Sequence, residues 1–304
     1  MRNEDLAKAV RAMPGPVFAV LDAGQFDDLP SELSKADIKA QSLFLGQSDF
    51  ETQKYGPWLA DTYSAASLDR LLDVIGDRPA AVFWSFPAGE RALYSHLRKI
   101  NAAKVPVPRD GAPAPLLGER RPRSDYEMTQ ALFRHWDPRV LSEVLAVLDE
   151  DQFARLLGGA QWLVLVDEDG HVVEASGAQV ATGRRHKMLE LTIDQVEAIS
   201  HLRMLSSRKR IANYLREAAP EPSAAFDDKG LLHFVERCER SAAVFGVRNE
   251  RSLGLWAYMQ ITSKGDFSHD PRVQDLFRVR DYSTPDQRVV MLFDARLNAM
   301  KMAR

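Results

Sequence analysis

The chain has 304 residues, of which 45% are hydrophobic and 27% charged, the make-up of an ordinary folded protein large enough for two domains. Its net charge of -3 gives no general attraction to nucleic acid or anionic membranes. A single cysteine, Cys238, excludes an intramolecular disulfide and any multi-cysteine metal site; it sits among helix-forming residues and is expected to be buried rather than nucleophilic.

Residues 1–13 are charged and lack an apolar core of signal-peptide length, so they are expected as a short helix stopped by Pro14-Gly15-Pro16. No stretch reaches the roughly 18 apolar residues of a membrane span, and the expected location is a reducing cytoplasm. Val17–Leu21 has buried-strand length, with Asp22 at its end. Residues 25–36 are polar and broken by Pro30, and Ile38–Leu45 is a second strand candidate. Tyr55-Gly56-Pro57-Trp58-Leu59 combines a turn with two aromatics. Ser67–Ile75 is an amphipathic helix that Gly76 stops. Ala80–Phe86 is apolar on both faces, as in a sheet covered by helices on both sides. Pro87 opens a helix through Ile100 that turns Leu93, Leu97 and Ile100 inward. Residues 104–124 contain Pro106, Pro108, Pro113, Pro115 and Pro122 and are expected as an exposed loop.

Glu127–Trp136 reads as a strand that hands over to a helix. Asp137 suits the N-cap and Pro138 the first helical position. Val140, Leu141, Val144, Leu145 and Leu148 then form one apolar stripe. Asp149 and Gln152 make a capping box for the next helix, which ends at Gly158-Gly159. Gln161–Val166 and His171–Ala175 flank Asp167-Glu168-Asp169-Gly170, a hairpin signal. The expected architecture is an α/β N-terminal lobe over residues 1–180, a mixed sheet flanked by helices. Around 176–190 the pattern turns polar and Gly-containing, as in a linker. Residues 190–304 then read as a smaller all-α helical bundle. Its helices are launched by Thr192 with Gln195, by Asn249, and by Thr284-Pro285 with Gln287, and Gly246 and Gly265 act as stops.

Signals for chemistry are thin. His135, Asp137 and Arg139 cluster at the strand-to-helix junction and could perform acid–base work or hold a phosphate, as in a phosphoesterase-like enzyme. The N-cap already accounts for Asp137, however, and an Arg one turn into a helix commonly pairs with a nearby carboxylate. The seven histidines are scattered at spacings that do not converge on a metal, and no phosphate-binding loop or GxSxG elbow occurs. Three basic clusters, Arg120–Arg123, Arg184–Lys187 and Arg208–Arg210, lack the aromatic neighbours of a nucleic-acid face. The aromatics Tyr55, Trp58, Trp84, Phe86, Phe133 and Trp136 gather in the first lobe, mostly as core, with one or two able to anchor a partner.

Taken in order, Gly56–Leu59 (GPWL), Ala81–Phe86 (AVFWSF), His96–Arg98 (HLR), Phe133–Leu141 (FRHWDPRVL) and Leu148–Gly158 (LDEDQFARLLG) resemble the adaptor proteins of bacterial type VI secretion, the Tap or TEC chaperones. The resemblance covers roughly residues 15–175. It is weaker over Ala242–Glu250 and Gly265–Pro271. The chain departs from the family's pattern in having His135-Trp136 before Asp-Pro-Arg, and Gly158-Gly159 after the Gln-containing helix. The resemblance implies a cytoplasmic, non-enzymatic adaptor without cofactor or metal, which holds a toxic effector and delivers it to the VgrG spike. Neither nucleic acid nor membrane would be a partner. The family-motif residues, and so the candidates for partner binding, are Trp58, His96, Arg98, Phe133, Trp136, Asp137 and Arg139.

Overall fold

The computed structural model describes residues 2–44, 49–62, 64–110, 121–177, 188–279 and 283–302. The chain divides into two compact units, Met1–Ser200 and His201–Arg304. The helices of the first unit are α1 (Arg2–Ala12), α2 (Leu29–Lys35), α3 (Phe50–Tyr55), α4 (Ala65–Ile75), α5 (Glu90–Lys99), α6 (Pro138–Leu145) and α7 (Glu150–Leu157). Its strands are β1 (Val17–Asp22), β2 (Ala40–Ser42), β3 (Pro57–Asp61), β4 (Ala81–Ser85), β5 (Ala102–Pro108), β6 (Tyr126–Leu132), β7 (Trp162–Val166), β8 (Val172–Ser176) and β9 (Leu189–Glu190). Helix α8 (Ile193–Ala218) contains the division between the units. The second unit continues with α9 (Pro220–Ser223), α10 (Asp228–Val244), α11 (Glu250–Thr262), α12 (Pro271–Arg278) and α13 (Pro285–Met302). An α/β region followed by an all-helical one is the fold class expected from the sequence.

A six-stranded sheet in the order β2-β3-β1-β4-β7-β8 carries the first unit, with every neighbouring pair antiparallel. The parallel component of the mixed pairing lies in a small sheet, β6-β5-β9, where β5 runs parallel to β9. Side chains of the large sheet alternate between two cores. Phe18, Val20, Val82, Trp84, Leu163 and Leu165 pack with Leu93, Leu97, Leu141 and Leu156 of α5, α6 and α7. Ala19, Leu21, Ala81, Phe83 and Val164 pack on the other side with Leu6, Leu29 and Leu71 of α1, α2 and α4. This two-sided burial is why β4 is apolar at nearly every position.

Local chemistry overrode the sequence reading at four places. Pro30 does not break the chain: it lies in the first turn of α2, where its missing N–H is harmless, behind the N-cap Asp28. Pro57–Asp61 is no turn but strand β3, pairing with both β1 and β2, and Pro57 opens the strand where proline is tolerated. The proline-rich segment begins as strand β5, not as a loop. The carbonyl of Lys104 accepts from Leu191 N–H on the β9 side, so residues of the same parity, Pro106 and Pro108, turn their nitrogens away from β6. β9 pairs only with Ala103 and Lys104, so no hydrogen bond is lost at those two prolines. Residues 111–120 lie outside the described residues. Strand β6 ends at Leu132 rather than Trp136, and Phe133–Trp136 form a separate turn ahead of α6.

The start and stop signals hold more uniformly. Asp149 and Gln152 form the reciprocal capping box of α7. Gln195 and Thr192 do the same at α8, and Gln287 and Thr284 at α13. Asn249 caps α11 by accepting from Arg251 N–H. α10 ends in a Schellman turn in which Gly246, at φ +78°, and Val247 donate to Ala243 and Ala242. The core of the second unit gathers Leu215, Val235, Cys238, Trp256, Met259 and Val289. Among the described residues no helix is long and apolar enough to cross a membrane.

Candidate functional site

The turn Phe133–Trp136 sets Phe133 and Trp136 in the core on one face of the large sheet, whereas Trp58 packs against the core on the other. Asp137 is 2% exposed and caps α6 by accepting from Arg139 N–H at 3.0 Å. Arg139 folds back so that Nε and Nη2 donate to the two carboxylate oxygens at 3.2 and 3.3 Å. This bond holds the Arg139 guanidinium above its ordinary pKa. Arg134 bridges Asp137 and Asp22, each at 3.1 Å. Asp22, 1% exposed at the end of β1, also accepts from Gln25 and from Gly24 N–H. Two buried carboxylates thus face two guanidiniums in a closed network that ties β1, the turn and α6 together. The sequence reading missed Asp22 and Arg134 as members. A lone Asp ending an apolar strand, and an Arg three residues before a capping Asp, were the available signals.

The two histidines of the motif are structural. His135 is fully buried and its Nε2–H donates to Asn101 Oδ1 at 2.8 Å. Its ring is surrounded by Trp84, Phe133 and Trp136, and its Nδ1 has no partner among the described residues. Burial, reinforced by His96 nearby, pushes its pKa down to about 3, so the ring is neutral at pH 7. His96 donates from Nε2 to the Leu156 carbonyl at 2.8 Å, supplying a donor to one of the acceptors left over at the C-terminus of α7. Burial lowers its pKa as well. The ring fits only because residue 158 is glycine. At φ +59° a Cβ there would stand 2.0 Å from His96 Cε1.

The remaining motif residues are equally engaged. Trp136 packs edge-on against Phe44 with centroids 5.4 Å apart. Phe133 is buried in the same core. Trp58 donates from its indole N–H to the Gln53 carbonyl. The Arg98 guanidinium lies 5.6 Å from the Tyr94 ring centre. The grouping of His135, Asp137 and Arg139 therefore resolves into a neutral core histidine beside a neutralised ion network. Among the described residues no group of His, Cys, Asp or Glu could hold a metal ion.

At the opposite end of the sheet, where β4 finishes at Ser85, a cavity of about 780 Å³ opens beside His96. Phe86, Ile100, Phe133 and Leu156 give it an apolar floor, and Lys99 and Arg155 supply the charge. Among the described residues none that lines it is a carboxylate, and the buried Nε of Arg155 has no partner among them. Of the basic clusters, Arg208 pairs with Glu236 and Glu239, and Arg210 with Glu250, so that patch is internally neutralised. Arg123 pairs with Asp194. Arg120 and residues 184–187 lie outside the described residues.

Residues 17–155 match the family model of a domain of unknown function, DUF4123. The match runs from the first residue of β1 into α7, and so contains the ion network, both motif histidines and most of the cavity. No curated protein and no solved structure matches the chain.

Proposed function

We propose that this chain is a non-enzymatic adaptor and chaperone. In the bacterial cytoplasm it binds a cognate type VI secretion effector and loads it onto the VgrG spike. The observation that carries the reading is the division of labour within the first unit. The carboxylates and guanidiniums of the motif neutralise one another, whereas Lys99 and Arg155 beside the cavity have no carboxylate counterpart among the described residues. A surface of that kind suits an effector segment that places a carboxylate beside an apolar side chain. The resemblance of FRHWDPRVL and HLR to the adaptor family supports the same reading. An interface of standard size, about 1,600 Å² in total, would extend well beyond the cavity.

The test is co-expression with the protein encoded next door and with a VgrG protein. The full chain is expected to recover both, and the double variant Lys99→Glu/Arg155→Glu to lose the effector while remaining folded. Absence of a complex with either protein, when both are folded, would refute the adaptor role. So would a turnover that a folded Asp137→Ala variant lacks.

A further inference from the structure

Among the described residues the two sheets end in the edge strands β2, β8, β6 and β9, and these edges are not alike. β2 and β9 have only three and two residues. β8 has five, carries Glu174 and follows the acidic turn Asp167-Glu168-Asp169, charges that discourage pairing. β6 (YEMTQAL) has seven residues, no proline and a single charge, Glu127. Its side chains from Glu127 to Gln130 are exposed on both faces, with Met128 at 48% and Leu132 at 62%. Gln130 stands opposite Lys104, whose carbonyl turns to Leu191, so the N–H and carbonyl of Gln130 point away from β5. Met128 and Leu132 share that parity and point the same way. Among the described residues the outward backbone groups of these three have no partner.

We propose that β6 pairs antiparallel with β6 of a second copy of this chain, giving a two-fold dimer whose small sheets join edge to edge. The strand is complementary to itself in the register that uses its full length. Thr129 lies on the two-fold axis and faces Thr129 of the second copy, a favourable pair. Met128 exchanges hydrogen bonds with Gln130 of the second copy, and Leu132 N–H donates to its Tyr126 carbonyl. Glu127 faces Ala131, so like charges do not stand opposite each other. Tyr126 faces Leu132, and Met128 lies diagonal to Met128 and Leu132 of the other copy. The exposed apolar side chains therefore cover one another. The two-fold axis uses the one long edge of each copy, and growth stops at two. None of these residues lines the cavity beside His96, and the inference does not rest on the adaptor reading.

The test is sedimentation velocity of the full chain across the micromolar range, with urea unfolding to show that each variant is folded. A single strand pair is a small interface, so a dimer that dissociates on dilution is expected. Gln130→Pro removes an outward N–H and no bond to β5, and should leave only monomer. Thr129→Lys sets two ammonium groups across the axis and should weaken association tenfold or more. Thr129→Cys should cross-link on mild oxidation, because residues in such a pair have Cα atoms about 4.5 Å apart, within disulfide reach. Glu127→Cys, about 13 Å along the strand from its own copy, should not. The native Cys238 is buried and does not compete. A monomer at every concentration, a dimer indifferent to both Gln130→Pro and Thr129→Lys, or equal cross-linking at 127 and 129 would overturn the proposal.

Discussion

The neutral, buried His135 should make the first unit acid-labile in a way that can be calculated. In the unfolded chain this imidazole takes a proton near pH 6.5, whereas in the folded chain it resists until about pH 3. Below pH 6.5 the unfolded state binds the extra proton, so stability is complete above that value and falls as the pH drops toward 3. Linkage gives a slope of about 1.4 kcal/mol per pH unit once the unfolded histidine is fully charged. Integrated from pH 7 to pH 5, the loss from His135 alone is about 2 kcal/mol. His96, whose pKa burial also lowers, adds to it in the same direction. The measurement is urea unfolding at both pH values for the parent chain and for His135→Gln. The glutamine keeps a donor for Asn101 Oδ1 but does not titrate. Fluorescence reports on the right unit, since four of the five tryptophans, Trp58, Trp84, Trp136 and Trp162, belong to the first. The variant should lose about 2 kcal/mol less than the parent between pH 7 and pH 5. An identical loss in both proteins would show that the histidine is not held neutral by burial.

Two further predictions probe the motif. Asp137→Asn keeps an N-cap but leaves Arg139 without its carboxylate and Arg134 with only Asp22. Breaking a fully buried pair costs about 3–5 kcal/mol, but the side chains of Arg134 and Arg139 are 43% and 37% exposed, so about 1–3 kcal/mol is expected. A change under about 0.5 kcal/mol in urea unfolding would count against the network. Gly158→Ala must adopt a left-handed conformation and drive a methyl into the His96 ring, which should cost at least about 2 kcal/mol. In the background of His96→Ala the steric part disappears and the glycine substitution should cost clearly less. Additivity of the two changes would refute the contact.

What the sequence made legible follows the range of the forces involved. N-caps, capping boxes and glycine stops depend on a few neighbouring residues. Asp137, Asp149 with Gln152, Thr192 with Gln195 and Thr284 with Gln287 accordingly behave as read. The apolar run Ala81–Ser85 identified a strand covered on both faces for the same reason, since one stretch carries both patterns. Strands β3 and β5 were hidden because proline statistics speak about a residue, whereas pairing depends on which neighbour lies on which side. Pro106 is acceptable in β5 only because β9 is too short to reach it. Asp22 and Arg134 are 112 positions apart in the chain, and nothing local to either announces the other.

That non-local pair also decides how the motif is to be understood. A His–Asp–Arg grouping can act as an acid, a base or an anion holder only if one of its charges is free to respond to a substrate. Here Asp137 answers to Arg134 and Arg139, Asp22 shares Arg134, and His135 is kept neutral by the rings around it. Freeing either guanidinium would leave a buried carboxylate short of a partner, and freeing Asp137 would cost the network about 1–3 kcal/mol. The network is therefore best suited to stay closed and to fix the angle at which α6 leaves the sheet. On the adaptor reading proposed above, partner recognition would fall to the cavity at the other end of the sheet, which Lys99 and Arg155 line beside apolar side chains. Substitutions at Asp137 should act through stability, and substitutions at Lys99 and Arg155 through binding, so the two sets separate architecture from recognition in one experiment.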